Sequence, residues 1–156
     1  MIDHHYTECG LPNVIISGLH NEVDDGGDAI ITIPAINELH RVIAEGIVRH
    51  DNGMSGDELR FLRTEMGLTQ AELARLVHRD KQSIGRWERS EVELDSSAEV
   101  IIRMMAIEKL KLKVNLDVEE IALSTIPTVE EQPINIRAVA GDDPASTTTR
   151  YELEAA

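Results

Sequence analysis

Residues 55–94 read SGDELRFLRTEMGLTQAELARLVHRDKQSIGRWERSEVEL, and capping chemistry cuts this stretch into three short helices. Ser55 followed by Glu58 is a capping-box pattern: the hydroxyl accepts a free first-turn N–H while the carboxylate reaches back to the cap's own amide. A helix therefore starts at Ser55. Leu59, Phe61, Leu62 and Met66 give it an apolar face, and Gly67 can take the left-handed conformation that ends it. Thr69 and Glu72 repeat the capping box at once, so a second helix follows with Leu73, Ala74, Leu76 and Val77 as its inward side. Asp80 is the natural N-cap of a third helix whose buried side is Ile84 and Trp87. Its outward side is Lys81, Gln82, Ser83, Gly85, Arg86 and Arg89.

Those outward groups can read DNA. A Gln amide bonds bidentately to adenine, and Arg or Lys bonds to the O6/N7 edge of guanine, so Lys81, Gln82 and Arg86 can distinguish base pairs in a major groove. Thr69, Arg79, Ser83 and Arg89 suit phosphate contacts, which position a protein without reading sequence. The run TQAELARLV, followed by QSI and RWER, resembles the helix-turn-helix of the phage repressor and Cro (XRE-like) class over Leu68–Ser90. The resemblance implies that Gln70, opening the second helix, anchors a backbone phosphate, and that Lys81, Gln82 and Arg86 project into the major groove. His78 and Ser90 stand where that class usually carries Gly. Glu91 and Glu93 occupy a loop that is basic in many relatives. Gly85 costs about 1 kcal/mol of helix stability relative to Ala, and its missing side chain would let the backbone approach the bases.

The overall charge is unusual for a protein that approaches a polyanion: 29 acidic against 15 basic side chains, net −14. The distribution accounts for part of this. Residues 1–54 carry nine acids and two bases, residues 55–113 eleven of each, and residues 114–156 nine acids and two bases. Thr69–Arg89 holds five bases and three acids, so affinity must come from a few well-aimed contacts rather than from a general attractive field. The single Cys9 cannot form an intramolecular disulfide, which fits a reducing cytoplasm. No apolar run approaches the roughly 20 residues of a membrane span, and no signal-peptide layout is present.

Outside the central stretch, Asn13–Ser17 and Ala29–Ile33 are short β-rich runs around the Asp/Gly-rich connector Asp24–Asp28, which predicts a two-stranded hairpin. Pro34 suits the first turn of a helix striped with Ile36, Leu39, Val42, Ile43 and Ile47. The hairpin is expected to pack on that helix, or the helix on a second copy of itself. Asp95 or Ser96 caps a further helix, with Val100, Ile101, Met104, Met105 and Leu110 as its inner side. Leu116–Ser124 suits one more short helix. Beyond Pro127 the chain turns acidic, GDDPASTTT reads as a loop or disordered stretch, and only Ile134–Val139 suits a strand.

HYTECGLPNV, LHRVIA and LRFLRTEMGLTQ together resemble bacterial regulators related to the MqsA antitoxins, over about residues 4–110. Those antitoxins carry an N-terminal zinc module of paired cysteines; here only Cys9 remains. His4, His5 and His20 could join it in principle, but the spacing matches no C-x2-C arrangement, and a metal-free hairpin with a buried thiol is expected, with no cofactor. Asp3, His4, His5, Asp24, Asp25 and Asp28 form no ordered catalytic set, so no enzyme is expected.

The sequence thus predicts a mainly α fold: a four- to five-helix phage-repressor-like domain, an N-terminal β-hairpin plus helix, and a flexible acidic tail. The expected division is 1–52 for dimerisation or partner binding, 53–113 for DNA binding, and 114–156 for a short helix and a partly disordered tail. The function expected is a cytoplasmic transcription regulator, a repressor that binds an inverted-repeat operator in double-stranded DNA as a homodimer. The alternative is an antitoxin-like protein that holds a toxin partner and autorepresses its operon.

Overall fold

The computed structural model describes residues 2–19, 21–23, 25–125, 132–140 and 149–154. Four strands come first: β1 (Ile2–His5), β2 (Val14–Leu19), β3 (Asn21–Val23) and β4 (Ala29–Ile31). Six helices follow: α1 (Ile36–Val48), α2 (Gly56–Glu65), α3 (Gln70–Leu76), α4 (Lys81–Glu88), α5 (Ser96–Lys109) and α6 (Val118–Ser124). The described chain closes with β5 (Ile134–Ala140) and β6 (Thr149–Leu153).

The six helices agree with the expectation of a mainly α fold, which holds only in part because a four-stranded sheet in the order β1-β2-β5-β6 stands beside them. β1 and β2 are antiparallel, β2 and β5 run parallel from Val14↔Ile134 to Ser17↔Arg137, and β5 and β6 are antiparallel. The predicted hairpin is also repaired differently. Across the 24–28 connector the partners are β3 and β4, Asn21↔Ile31 to Val23↔Ala29, whereas the Asn13–Ser17 run enters the larger sheet. The strand at Ile134–Val139 exists, and it lies beside β2. After residue 114 the expected short helix is present as α6, and β6, which was not expected, adds a further strand at Thr149–Leu153. The stretch GDDPASTTT lies almost wholly outside the described residues.

The parallel β2–β5 pair encloses the helices in sequence, and α1 joins the two parts. Leu39, Val42, Ile43, Ala44, Ile47 and Val48 are all buried, so α1 turns a broad apolar face inward while Asn37 and Arg41 stay exposed. One side packs on β5 and β6, where Gly46 admits Ile134 and Leu153: a Cβ there would stand 2.9 Å from the Ile134 side chain. The rest packs on α2 and α5. Each fully buried Leu or Ile contributes about 1.5–3 kcal/mol relative to exposure, so this helix welds sheet and helices into one apolar cluster. Its start differs from expectation: Pro34 precedes the helix and Ala35, at φ 53°, is the N-cap.

Two buried carboxylates fasten the segment between α1 and α2. Glu58 completes the predicted capping box, accepting the Ser55 amide at 2.8 Å, and also takes His50 Nε2 at 2.6 Å and Asn13 Nδ2 at 3.4 Å. Asn13 in turn donates to the Gln132 carbonyl at 2.7 Å, which ties α2 to the sheet. Glu99 accepts the Met54 amide at 2.9 Å and lies 2.8 Å from Arg103. Burial raises the Glu99 carboxyl above its usual range, against the pull of that guanidinium. Arg103 is fully buried and donates to the carbonyls of Val48, His50 and Asn52 at 3.3, 2.8 and 2.6 Å.

The inner side of α5 is therefore Ala98, Glu99, Ile102, Arg103 and Ala106, not the expected set. Ile101 is exposed, and Val100, Met104, Met105 and Leu110 are half-buried. The helix carries apolar residues on most sides, and its most buried positions hold an ion pair that an apolar stripe does not reveal. Of the two cap candidates, Asp95 holds the place, accepting the Ala98 amide at 3.1 Å.

Removing one member of a buried pair leaves the other charge uncompensated. Arg103→Ala is expected to cost about 3–5 kcal/mol of stability, read by urea denaturation. A loss within experimental error would show that the three carbonyls and Glu99 are satisfied without it.

Candidate nucleic-acid interface

Local chemistry sets the helix boundaries at the site. Thr69 and Glu72 form the second capping box, with the Glu72 amide 3.1 Å from Thr69 Oγ1 and the Thr69 amide 3.2 Å from Glu72 Oε1. Those hydrogen bonds hold the Glu72 carboxyl below its usual range. Asp80 accepts the Ser83 amide at 2.7 Å and caps α4, and its carboxyl is lowered for the same reason.

The four helices α2 to α5 end alike. In each, the residue after the cap takes a positive φ: Gly67 72°, His78 57°, Ser90 59° and Lys111 52°. The next amide then reaches back to a carbonyl five residues earlier, as from Arg79 to Ala74 at 2.9 Å and Glu91 to Arg86 at 2.9 Å. Only Gly67 takes this turn without a Cβ penalty, which for the other residues is about 1–2 kcal/mol. The His78 ring is exposed and makes no hydrogen bond to a described residue, so no side-chain bond offsets its cost.

The orientation of α4 is fixed from inside by Glu88, whose side chain is fully buried. Arg63 grips it bidentately, Nε to Oε2 at 2.6 Å and Nη2 to Oε1 at 3.0 Å. Gln70 Nε2 donates to Oε1 at 3.2 Å and Arg60 Nε to Oε1 at 3.4 Å. Burial pushes the Glu88 carboxyl up, but the hydrogen bonds from Arg63, Gln70 and Arg60 outweigh it and hold it below the usual range. A depressed carboxyl stabilises the fold above its unfolded-state value, and that contribution is lost as pH falls through the folded one. Contact at the same place is direct: a Cβ on Gly56 would stand 2.5 Å from the carbonyl oxygens of Trp87 and Glu88.

With α4 set in this way, the expected DNA-contacting residues divide into three groups. Lys81, Gln82 and Arg86 are exposed and make no side-chain hydrogen bond to a described residue. Gln82 and Arg86 lie one turn apart on the side opposite Ile84, Trp87 and Glu88. Arg79 and Arg89 are exposed but engaged: Arg79 Nη2 bonds Asp95 at 3.1 Å, and Arg89 bonds Glu91 at 2.9 and 3.3 Å. Glu91 raises the Arg89 guanidinium and is lowered in return. Thr69 is exposed with its hydroxyl in the cap, Ser83 is half-buried, and the Gln70 amide is drawn inward by Glu88. Leu76, expected in the core, is 39% exposed.

Arg60, Arg63 and Glu88 were not foreseen from the sequence. The signal was Glu88 four residues after Ile84 and one after Trp87, which places an acid on the buried stripe and demands a basic partner. Gly85 has room for a methyl group except for the movable Arg89 guanidinium, 3.0 Å from a built Cβ.

No three His, Cys, Asp or Glu side chains gather as metal ligands among the described residues. Cys9 is half-buried rather than buried, His4 lies 3.5 Å from Glu8, and His5 bonds the Pro12 carbonyl; His20 and Asp24 lie outside the described residues. Nor is any described helix long and apolar enough to cross a membrane.

A family model described as a helix-turn-helix domain matches residues 56–107, which span α2, α3, α4 and most of α5. No curated protein and no solved structure matches the chain. The chain thus carries a helix-turn-helix domain, the architecture of DNA-binding regulators, in the segment that Glu88 holds together.

Glu91 occupies the guanidinium of Arg89 and adds a negative charge beside the exposed face of α4. Glu91→Gln is expected to tighten DNA binding and to steepen the dependence of log K on log salt by about 0.9, the increment for one more neutralised phosphate. Fluorescence anisotropy titrations at several salt concentrations give both quantities. An unchanged slope would mean that Arg89 does not reach phosphate.

Proposed function

We propose that the protein is a sequence-specific DNA-binding transcription regulator of the phage repressor/Cro class, acting as a repressor. The observation that carries this reading is the exposed set Lys81, Gln82 and Arg86 on a helix held rigidly from behind by Glu88. Lys81, Gln82 and Arg86 read base edges in the major groove. Thr69, Gln70, Arg79, Ser83 and Arg89 contact phosphate, with Arg79 and Arg89 exchanging a carboxylate partner for it. The net charge of −14 keeps non-specific affinity low, so recognition rests on these aimed contacts.

One α4 reads only a few base pairs, so the protein works as a homodimer on an inverted repeat, with half-sites about 34–36 Å apart. Exposed Ile101 on α5 and exposed Val118 and Leu123 on α6, two helices packed together, support a contact between copies. In this reading residues 1–52 and 114–156 serve assembly around the 53–113 reading unit, in the cytoplasm, without catalytic activity. The acidic flanks also suit an antitoxin-like role toward a basic toxin, which is the second reading.

Selection of binding sites from random DNA is the test. Gln82→Ala and Arg86→Ala should each lose discrimination at particular base pairs, about 1–3 kcal/mol per bidentate contact, whereas Gln70→Ala should weaken all sequences alike. Light scattering should give a mass near twice 17.3 kDa. Retention of the parental preference and affinity by all three variants would remove α4 as the reading surface, and a strict monomer bound once per DNA would remove the dimer.

A further inference from the structure

A cavity of about 270 Å³ opens where α2 meets the connector between β1 and β2, away from the outer face of α4. Glu8 and Cys9 of the connector form one wall, and Asp57, Arg60, Phe61 and Thr64 of α2 form the other. The connector belongs to HYTECGLPNV, a segment that DNA reading does not explain. Ligand pockets commonly run about 300–1,000 Å³, so this one is of the size that a small molecule fills.

Most of the charges around it have partners outside it, Glu8 with His4 at 3.5 Å, Glu65 with His40 and Arg60 with Glu88, but the carboxylates and the guanidinium that line it form no ion pair with one another. Glu65, also at the wall, is taken by His40 Nδ1 at 2.8 Å, and the other ring nitrogen of His40 lies 2.9 Å from the Tyr6 hydroxyl. Asp57 and Arg60 lie three residues apart on α2 but form no ion pair with each other, because the Arg60 Nε turns to Glu88 at 3.4 Å. The Arg60 side chain nonetheless stays 53% exposed, and a guanidinium has further N–H donors for a second acceptor. A simple cation would confront Arg60. An anion of high charge, such as a phosphate, would confront Glu8, Asp57 and Glu65 around a single guanidinium. A dipolar molecule satisfies both ends.

We propose that this cavity binds a small zwitterion of the free α-amino-acid class. Its carboxylate bonds Arg60, its ammonium bonds Asp57 and Glu8, and its side chain rests on Phe61 beside Cys9. Binding stands apart from DNA reading.

Isothermal titration calorimetry of the full chain with each common L-amino acid at millimolar concentration tests the site without DNA. At least one should give saturable 1:1 binding. Its amide, which keeps the ammonium and lacks the carboxylate, should bind at least about tenfold more weakly, as should Arg60→Gln and Asp57→Asn proteins with the intact ligand. Should Arg60→Gln fail to fold, Asp57→Asn and the amide comparison decide. The proposal is overturned if no amino acid binds saturably, or if a binder is unaffected by both the amide change and Asp57→Asn.

Discussion

Glu88 brings a full negative charge into the core at the foot of α4, and the helix-turn-helix is arranged around satisfying it. Arg60 and Arg63 of α2 and Gln70 of α3 all donate to the one carboxylate. An ion left unpaired in such a place costs several kcal/mol, so rotations of α4 that break these bonds are disfavoured. That selectivity matters more than any net stabilisation. Because Glu88 must face inward beside Ile84 and Trp87, Gln82 and Arg86 must face outward, and the outward geometry follows from an inward constraint.

A second buried pair, Glu99 with Arg103, does the corresponding work between α5 and the segment leaving α1. Arg103 donates to three carbonyls of the segment leaving α1, and Glu99 closes the buried Met54 amide. Through α1 this junction passes to the sheet. Among the described residues the helix-turn-helix domain is thus one end of a continuous core that includes strands β2, β5 and β6.

The capping residues were the most legible part of the chain. Ser55–Glu58, Thr69–Glu72, Asp80 and Asp95 act through bonds within one helical turn, so the local sequence contains all their partners. The left-handed positions of His78 and Ser90 were legible by comparison with a motif that prefers Gly there. The sheet was less so, because β2 pairs with β5 some 120 residues later in the chain: Ile15 opposite Asn135, Ile16 opposite Ile136. Nothing local distinguishes that partner from the nearer Ala29–Ile33. The inner face of α5 was misread because Glu99 and Arg103 occupy places usually given to apolar residues. In the candidate interface the outward side chains could be named, but not their engagement. That Arg79 meets Asp95, and that Gln70 turns to Glu88, depends on contacts between helices.

Native-state hydrogen exchange on Glu88→Gln beside the parent protein tests the central constraint most directly. If the carboxylate holds α4 in place, amides of Ile84, Gly85 and Trp87 should lose protection by on the order of a hundredfold, matching a loss near 3 kcal/mol for a broken buried pair. Amides of α1 and β5 should stay close to the parent values. Unchanged protection along α4, or an equal loss across α1 and β5, would contradict the claim that Glu88 sets the position of α4.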